Sequence, residues 1–278
     1  MLSETEKLIS RELFIKRTAQ IGLIANGLVY TLIGIITFGA AFGFSYHQGG
    51  RFQVLDWLYQ LPYGPGILGM VTVGLLCYAA WRFVQGIMDT EKNGKTLMGL
   101  ANRFGFLVTG FVYIAFAYYA IRLTAGLAID EETQITRKTV AETLLMQPNG
   151  RWLLGAIAVG TMCVGVFQAY HALSGGYRKH VEECRLREEN KTILIKTGFW
   201  GFIAVGIVWL LLGYMLLRSA IYFNPTEAGN DTSAFYFVEY SFGSGIGSVM
   251  LGLIAVGLLC FGLFNFVRAQ YEYIKTPE

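Results

Sequence analysis

Charged residues along this chain are confined to short blocks, and six long stretches between the blocks hold none. No Asp, Glu, Lys, Arg or His lies between Thr18 and Tyr46, Trp57 and Trp81, Phe104 and Ile121, Trp152 and Tyr170, Thr197 and Leu217, or Tyr240 and Val267. Crossing the ~30 Å hydrocarbon core takes about 20 apolar residues as a helix. Each stretch is about long enough, and the connections between them are too short to form a separate soluble domain. The pattern predicts an all-α membrane protein with six transmembrane helices in a single membrane domain, residues 1–278.

The six stretches are three copies of one pair. The odd ones align without gaps as QIGLIANGLVY (Gln20 to Tyr30), RFGFLVTGFVY (Arg103 to Tyr113) and FWGFIAVGIVW (Phe199 to Trp209). The even ones align as GMVTVGLLCYAAW (Gly69 to Trp81), GAIAVGTMCVGVF (Gly155 to Phe167) and GLIAVGLLCFGLF (Gly252 to Phe264). This sets tandem repeats at about residues 16–90, 100–180 and 195–273. The two glycines of each odd helix are five residues apart, hence about 140° apart around the axis. Two close contacts on different flanks suit a ring better than a single GxxxG-type dimer face. The expectation is therefore three parallel hairpins in a pseudo-threefold bundle, unlike the inverted repeats of many transporters. Before each even helix comes a mixed segment, FQVLDWLYQLPYG, TVAETLLMQPNGRW or FYFVEYSFGSG. Apolar residues at helical spacing among aromatics suggest a half-buried interfacial helix there, a plain loop being the alternative.

Composition agrees with a membrane setting: 54% of residues are hydrophobic, 15% charged, and mean hydropathy is +0.47, against about 25% charged in soluble domains. The 34 glycines suit close helix packing, and none of the 5 prolines falls in mid-span. Topology accounts for the net charge of +3 without a nucleic-acid partner. Fifteen Lys and Arg lie in the N-terminal segment, the second and fourth connections and the C-terminal tail. The other three connections hold only Arg51, Arg137, Lys138 and Arg151. By the positive-inside rule both termini are expected in the cytoplasm. The charged stretch from Ser3 to Arg17 is not a cleavable signal, so the first span is expected to remain in the mature protein.

The repeated pattern is a GxxxxG helix ending in an aromatic, a loop such as QPNGRWLLG (Gln147 to Gly155) or LPYGPGILG (Leu61 to Gly69), then a helix with glycine, cysteine and a closing aromatic. From about Lys16 to Tyr273 it resembles a bacterial membrane family catalogued as domain of unknown function 1206. The third loop departs, with Gly245 where the others have Pro62 and Pro148, so its form is expected to differ. The resemblance implies a six-helix bundle in the bacterial cytoplasmic (inner) membrane. It brings no activity, so it assigns no functional residue.

Several positions repeat with chemistry attached. Cys77, Cys163 and Cys260 are equivalent; around an axis three thiolates would form a trigonal soft-metal site, whereas small buried cysteines beside glycine are ordinary packing. Packing is the reading adopted, with no metal or cofactor expected. Five residues after each cysteine stand Arg82, Gln168 and Asn265, while Asn26 and Thr109 match on odd helices with Val205 as third member. Polar groups within spans face a bundle interior or wet cavity, so these five are candidates for a polar vestibule; the alternative is snorkelling and interhelical bonding. Arg122 and Arg218 would form an outer rim attracting anions, or snorkel and pair with acids such as Asp130 or Glu227. Tyr30, Tyr113 and Trp209 lie too deep for an interfacial belt, leaving packing or a constriction.

Paired axial histidines for haem and clustered zinc ligands are missing from the sequence, as are a P-loop, a Rossmann fingerprint and a nucleophile elbow. No acidic residue lies inside a span to build a proton relay. The expected function is non-enzymatic: a scaffold, sensor or accessory protein whose surroundings are the lipid bilayer and whose partner is another membrane or cytoplasmic protein. The second reading is a channel or small-solute carrier with its path along the pseudo-threefold axis. The state of the bundle centre, filled or wet, discriminates between them.

Overall fold

The computed structural model describes residues 4–44, 51–90, 94, 96–126, 143–182, 184, 186–223 and 231–272. These residues form α1 (Glu4–Ala41), α2 (Arg51–Gln60), α3 (Gly64–Met88), α4 (Leu97–Thr124), α5 (Gly150–Leu173), α6 (Arg178–Glu182), α7 (Glu188–Tyr222) and α8 (Asp231–Tyr271). Six of them contain stretches long and apolar enough to cross a membrane, at Lys16–Ala41, Gly64–Met88, Asn102–Thr124, Gly150–Leu173, Glu188–Tyr222 and Gly245–Tyr271. No strand occurs among the described residues. A helix satisfies its backbone hydrogen bonds internally, which is what the bilayer demands of a spanning segment. The chain is a multi-pass, all-α membrane protein.

Short helical segments precede the even spans, and glycine makes the turn possible in each repeat. Helix α2 enters α3 through Tyr63, whose φ of 62° is left-handed, followed by Gly64. A Cβ on Gly64 would lie 2.1 Å from the Tyr59 carbonyl oxygen; on Gly150 it would lie 1.2 Å from that of Leu144, and on Gly247 2.6 Å from that of Glu239. No side chain fits where a backbone comes this close. In the third repeat the interfacial and spanning parts are continuous within α8, broken only at Gly243, with φ 76° and ψ 165°. This is the departure that the missing proline predicted. Helix α2 is half-buried as expected, with Val54, Leu55 and Leu58 inside and Trp57 exposed. Of the corresponding second segment, residues 139–142 lie outside the described residues, and a helical turn follows at 143–145.

Spanning helices pack in the order α4–α3–α1–α8–α7–α5. Three of these interfaces join different repeats through the second glycine of each odd helix. A Cβ on Gly27 would lie 3.0 Å from the Gly262 carbonyl on α8, one on Gly110 3.0 Å from Phe83 on α3, and one on Gly206 3.0 Å from the Gly165 carbonyl on α5. The other two join the helices of one hairpin, α1 with α3 and α7 with α8. A closed ring would also need α4 packed on α5. Among the described residues that interface is not formed, so the bundle is an arc and the second hairpin stands open. A physical reason is visible in the side chains: where the closed hairpins have Ala25 and Ala204, the second has the bulkier Val108.

Candidate functional site

Polar groups buried within the spans converge where α1, α3 and α4 meet. Asn26 projects from α1 and is 1% exposed. Its side-chain oxygen accepts a hydrogen bond from the Tyr113 hydroxyl on α4. The Tyr113 ring lies against Tyr78 of α3 with centroids 4.5 Å apart. The Tyr78 hydroxyl in turn accepts from Arg82 Nη2, while Arg82 Nη1 donates to Gln85 Oε1 at 3.0 Å. The guanidinium carbon sits 4.8 Å from the Tyr78 ring centre and 5.3 Å from that of Phe106, a cation–π arrangement that offsets part of its desolvation. Buried polar groups in a hydrocarbon surround are costly unless bonded. This network bonds nearly all of its own, the exception being Arg82 Nε, which is buried without a partner among the described residues.

Helix α2 covers one end of this network. Phe52 meets Phe116 and Tyr119 of α4 edge-on, each at 5.0 Å, and the Tyr119 hydroxyl donates to the Asp56 carboxylate. Across the bundle the polar network gives way to aromatic packing. Tyr30 meets Phe261 at 4.8 Å, Phe261 meets Phe202 at 5.2 Å, and Phe202 meets His171 at 5.1 Å. Ring-to-ring contacts thus run from α1 through α8 and α7 to α5.

The five vestibule candidates are distributed over this interior. Asn26 and Arg82 are linked through Tyr113 and Tyr78. The Thr109 hydroxyl donates back to the Gly105 carbonyl at 2.8 Å, and Asn265 Nδ2 donates to the Phe261 carbonyl at 2.7 Å, both within their own helices. Gln168 is half-buried on α5, its Cβ 3.5 Å from a Cβ built on Gly206. At the rim, Arg122 Nε is buried without a hydrogen-bond partner among the described residues, and Arg218 lies 5.6 Å from the Tyr222 ring centre. Asp130 and Glu227, the acids expected nearby, lie outside the described residues. Cys77 and Cys260 are half-buried while Cys163 is exposed, and no cluster of His, Cys, Asp or Glu able to hold a metal occurs among the described residues. Of the deep aromatics, Tyr30 and Tyr113 are fully packed, and Trp209 is half-buried.

A second polar cluster, which pattern reading did not reveal, ties α6 to the end of α8. Glu272 accepts from Arg268 Nε at 2.6 Å and pairs with His180 Nδ1 at 2.8 Å. Its backbone bridges to Cys184, and the Cys184 thiol bonds to the His180 carbonyl at 3.1 Å. Burial alone would raise the Glu272 carboxyl, but the Arg268 charge and the contact with His180 overcome it and hold it at about 2. His180 and Glu272 are 92 residues apart; Glu272 stands where the first repeat has Asp89 and the second Gly175, but its pairing with His180 is made only by the fold.

The model of a family described as Domain of Unknown Function (DUF1206) matches this chain three times, over residues 21–89, 104–175 and 200–272. The chain is also similar to "Uncharacterized protein YxxB" of Bacillus subtilis (strain 168), with 26% identity over 268 residues, covering 95% of this chain and 94% of that protein. No solved structure gives a significant match.

Proposed function

We propose that this chain, which belongs to the DUF1206 family, is a non-enzymatic and non-conducting membrane protein that serves as a scaffold, sensor or accessory subunit. One observation carries the reading: the Tyr113 side chain crosses the interior to Asn26, which is 1% exposed. A path along the bundle centre would have to part this hydrogen bond and the tilted Tyr78–Tyr113 ring pair beside it. A carrier would instead gain from leaving its intramembrane polar groups facing water. Here Asn26 is bonded across to α4, and Arg82 is bonded within α3 and lies over the Phe106 ring of α4.

The working membrane in this reading is the bacterial cytoplasmic membrane, with both termini inside, as the Lys and Arg asymmetry of the connections favours. The partner is another protein at that membrane, and the bilayer itself is the surrounding solvent. Purified protein reconstituted in liposomes tests the reading. Potassium, chloride and glycerol should equilibrate at the rate of protein-free vesicles, and a reporter fused to either terminus should be active only in the cytoplasm. Solute flux that is abolished by enlarging Val205 to Phe would replace this reading with the channel or carrier.

A further inference from the structure

We infer that α4 and α5 form a lateral gate: the second hairpin closes on itself as the first and third do, and the arrangement described above is its open state. The inference goes beyond the functional reading, which concerns the interior, and does not depend on it.

The closed contact is seen twice in this molecule. In the first hairpin a Cβ on Gly22 would lie 2.6 Å from Tyr78 Cα, and one on Gly74 2.4 Å from the Ala25 Cβ. In the third, a Cβ on Gly201 would lie 2.8 Å from Phe261 Cα, and one on Gly257 2.4 Å from the Ala204 Cβ. These positions are equivalent, so both hairpins use one close-packed face, and only glycine allows it. The second hairpin keeps both glycines, Gly105 and Gly160, yet a Cβ on either meets nothing within 4 Å among the described residues. Two glycines in lipid-facing helices, at the register of a contact made elsewhere in the same chain, have a use only if that contact also forms here.

Exposure along α5 gives the same answer from larger side chains. Val71, Tyr78 and Trp81 on α3 are 5%, 3% and 7% exposed, and Ile254, Phe261 and Phe264 on α8 are 6%, 8% and 0%. Their equivalents on α5, Ile157, Val164 and Phe167, are 41%, 37% and 38% exposed. Among the described residues the one spanning helix that α5 packs on is α7, through Gly206 against Gly165 and Gly213 against Met162. A movement of α5 with or about α7 would part no other interface between spanning helices among them. Val108, in place of Ala25 and Ala204, explains why this hairpin is the one found apart: its two extra methyl groups oppose the Gly160 approach. The gate is thus weakly biased, whereas its two counterparts are locked.

The test uses the full chain in native membranes, with Cys77, Cys163, Cys184 and Cys260 replaced by Ala and Val108→Cys combined with Gly160→Cys. Oxidation should give a disulfide within one chain, and adding Gly105→Leu should cut its yield at least fivefold. A disulfide between two chains would overturn the proposal, because the face would then belong to a second copy. So would no disulfide from thiols that both react with a membrane-soluble maleimide. A milder pair of variants guards against misfolding of the double one. In the same background, the maleimide labelling rate of Val164→Cys should fall severalfold with Val108→Ala, and the further change Gly105→Leu should restore it. An unchanged rate in both would also sink the gate.

Discussion

Tyr113 on α4 donates a hydrogen bond to Asn26 on α1, and this bond joins two odd helices of different repeats through the interior of the bundle. It makes the first repeat and the first half of the second one packed unit, with the Tyr78 ring tilted against Tyr113. Hydrogen bonds between membrane helices are worth about 0.6 kcal/mol on average. A buried polar group left without its partner costs about 1–3 kcal/mol.

Tyr113→Phe should therefore destabilise the protein by about 1–2 kcal/mol, because Asn26 keeps its burial and loses its donor. Asn26→Leu added to it should restore part of the loss, since no unbonded polar group then remains. Thermal unfolding of the purified protein in detergent, followed across the four members of the double-mutant cycle, checks the coupling. Strictly additive losses would deny the bond any role.

Equivalent glycines should respond unequally to the same substitution. Gly201→Leu forces a side chain into the Phe261 backbone and should cost about 3 kcal/mol or more, at the upper end for overpacking. Gly105→Leu extends into space unoccupied by described residues and should change stability by less than about 0.5 kcal/mol. The two melting temperatures, measured side by side, decide the matter.

Glu272 predicts a pH dependence with a definite sign. Its carboxyl is held at about 2, against an ordinary 4.5. A depressed carboxylate contributes stability above its unfolded value and loses it as pH falls towards the folded one. The shift corresponds to about 3 kcal/mol, present at pH 6 and fading between about pH 5 and 2. Glu272→Gln should flatten this acid limb of the melting temperature. Arg268→Leu should be worse than Glu272→Gln at neutral pH, because it leaves a buried carboxylate short of its main counter-charge.

The six spans and the three tandem hairpins were legible because hydrocarbon tolerates few charges and because glycine recurs where backbones touch. Even the pairing of Gly22, Gly105 and Gly201 could be read before any coordinates. Which hairpin would stand open could not be read from periodicity, although one letter carried the signal: Val108 where its two counterparts are alanine. The elbow glycines Gly64, Gly150 and Gly247 were also readable, each ten residues before Gly74, Gly160 or Gly257. By contrast, the Arg82–Tyr78 bond and the Glu272 cluster arise from side-chain reach and long-range contact, which no repeat encodes. The spacing places Arg82 in a polar vestibule or snorkelling to the headgroups; what spacing does not show is its contact with Tyr78 and Phe106, where a neighbour one turn away supplies both an acceptor and a π face.

The proposed non-conducting role is tested most directly by water access at the level of Asn26. Val205, the equivalent position on α7, is 2% exposed, and Val205→Cys is a small change in a chain whose native cysteines have been replaced. A charged methanethiosulfonate reagent applied from either side of the membrane should leave this thiol unmodified, while detergent-denatured protein reacts fully. Modification from one side of the intact membrane, at a rate near that of an exposed thiol, would mean a wet cavity reaches the bundle centre and would contradict the packed, non-conducting account.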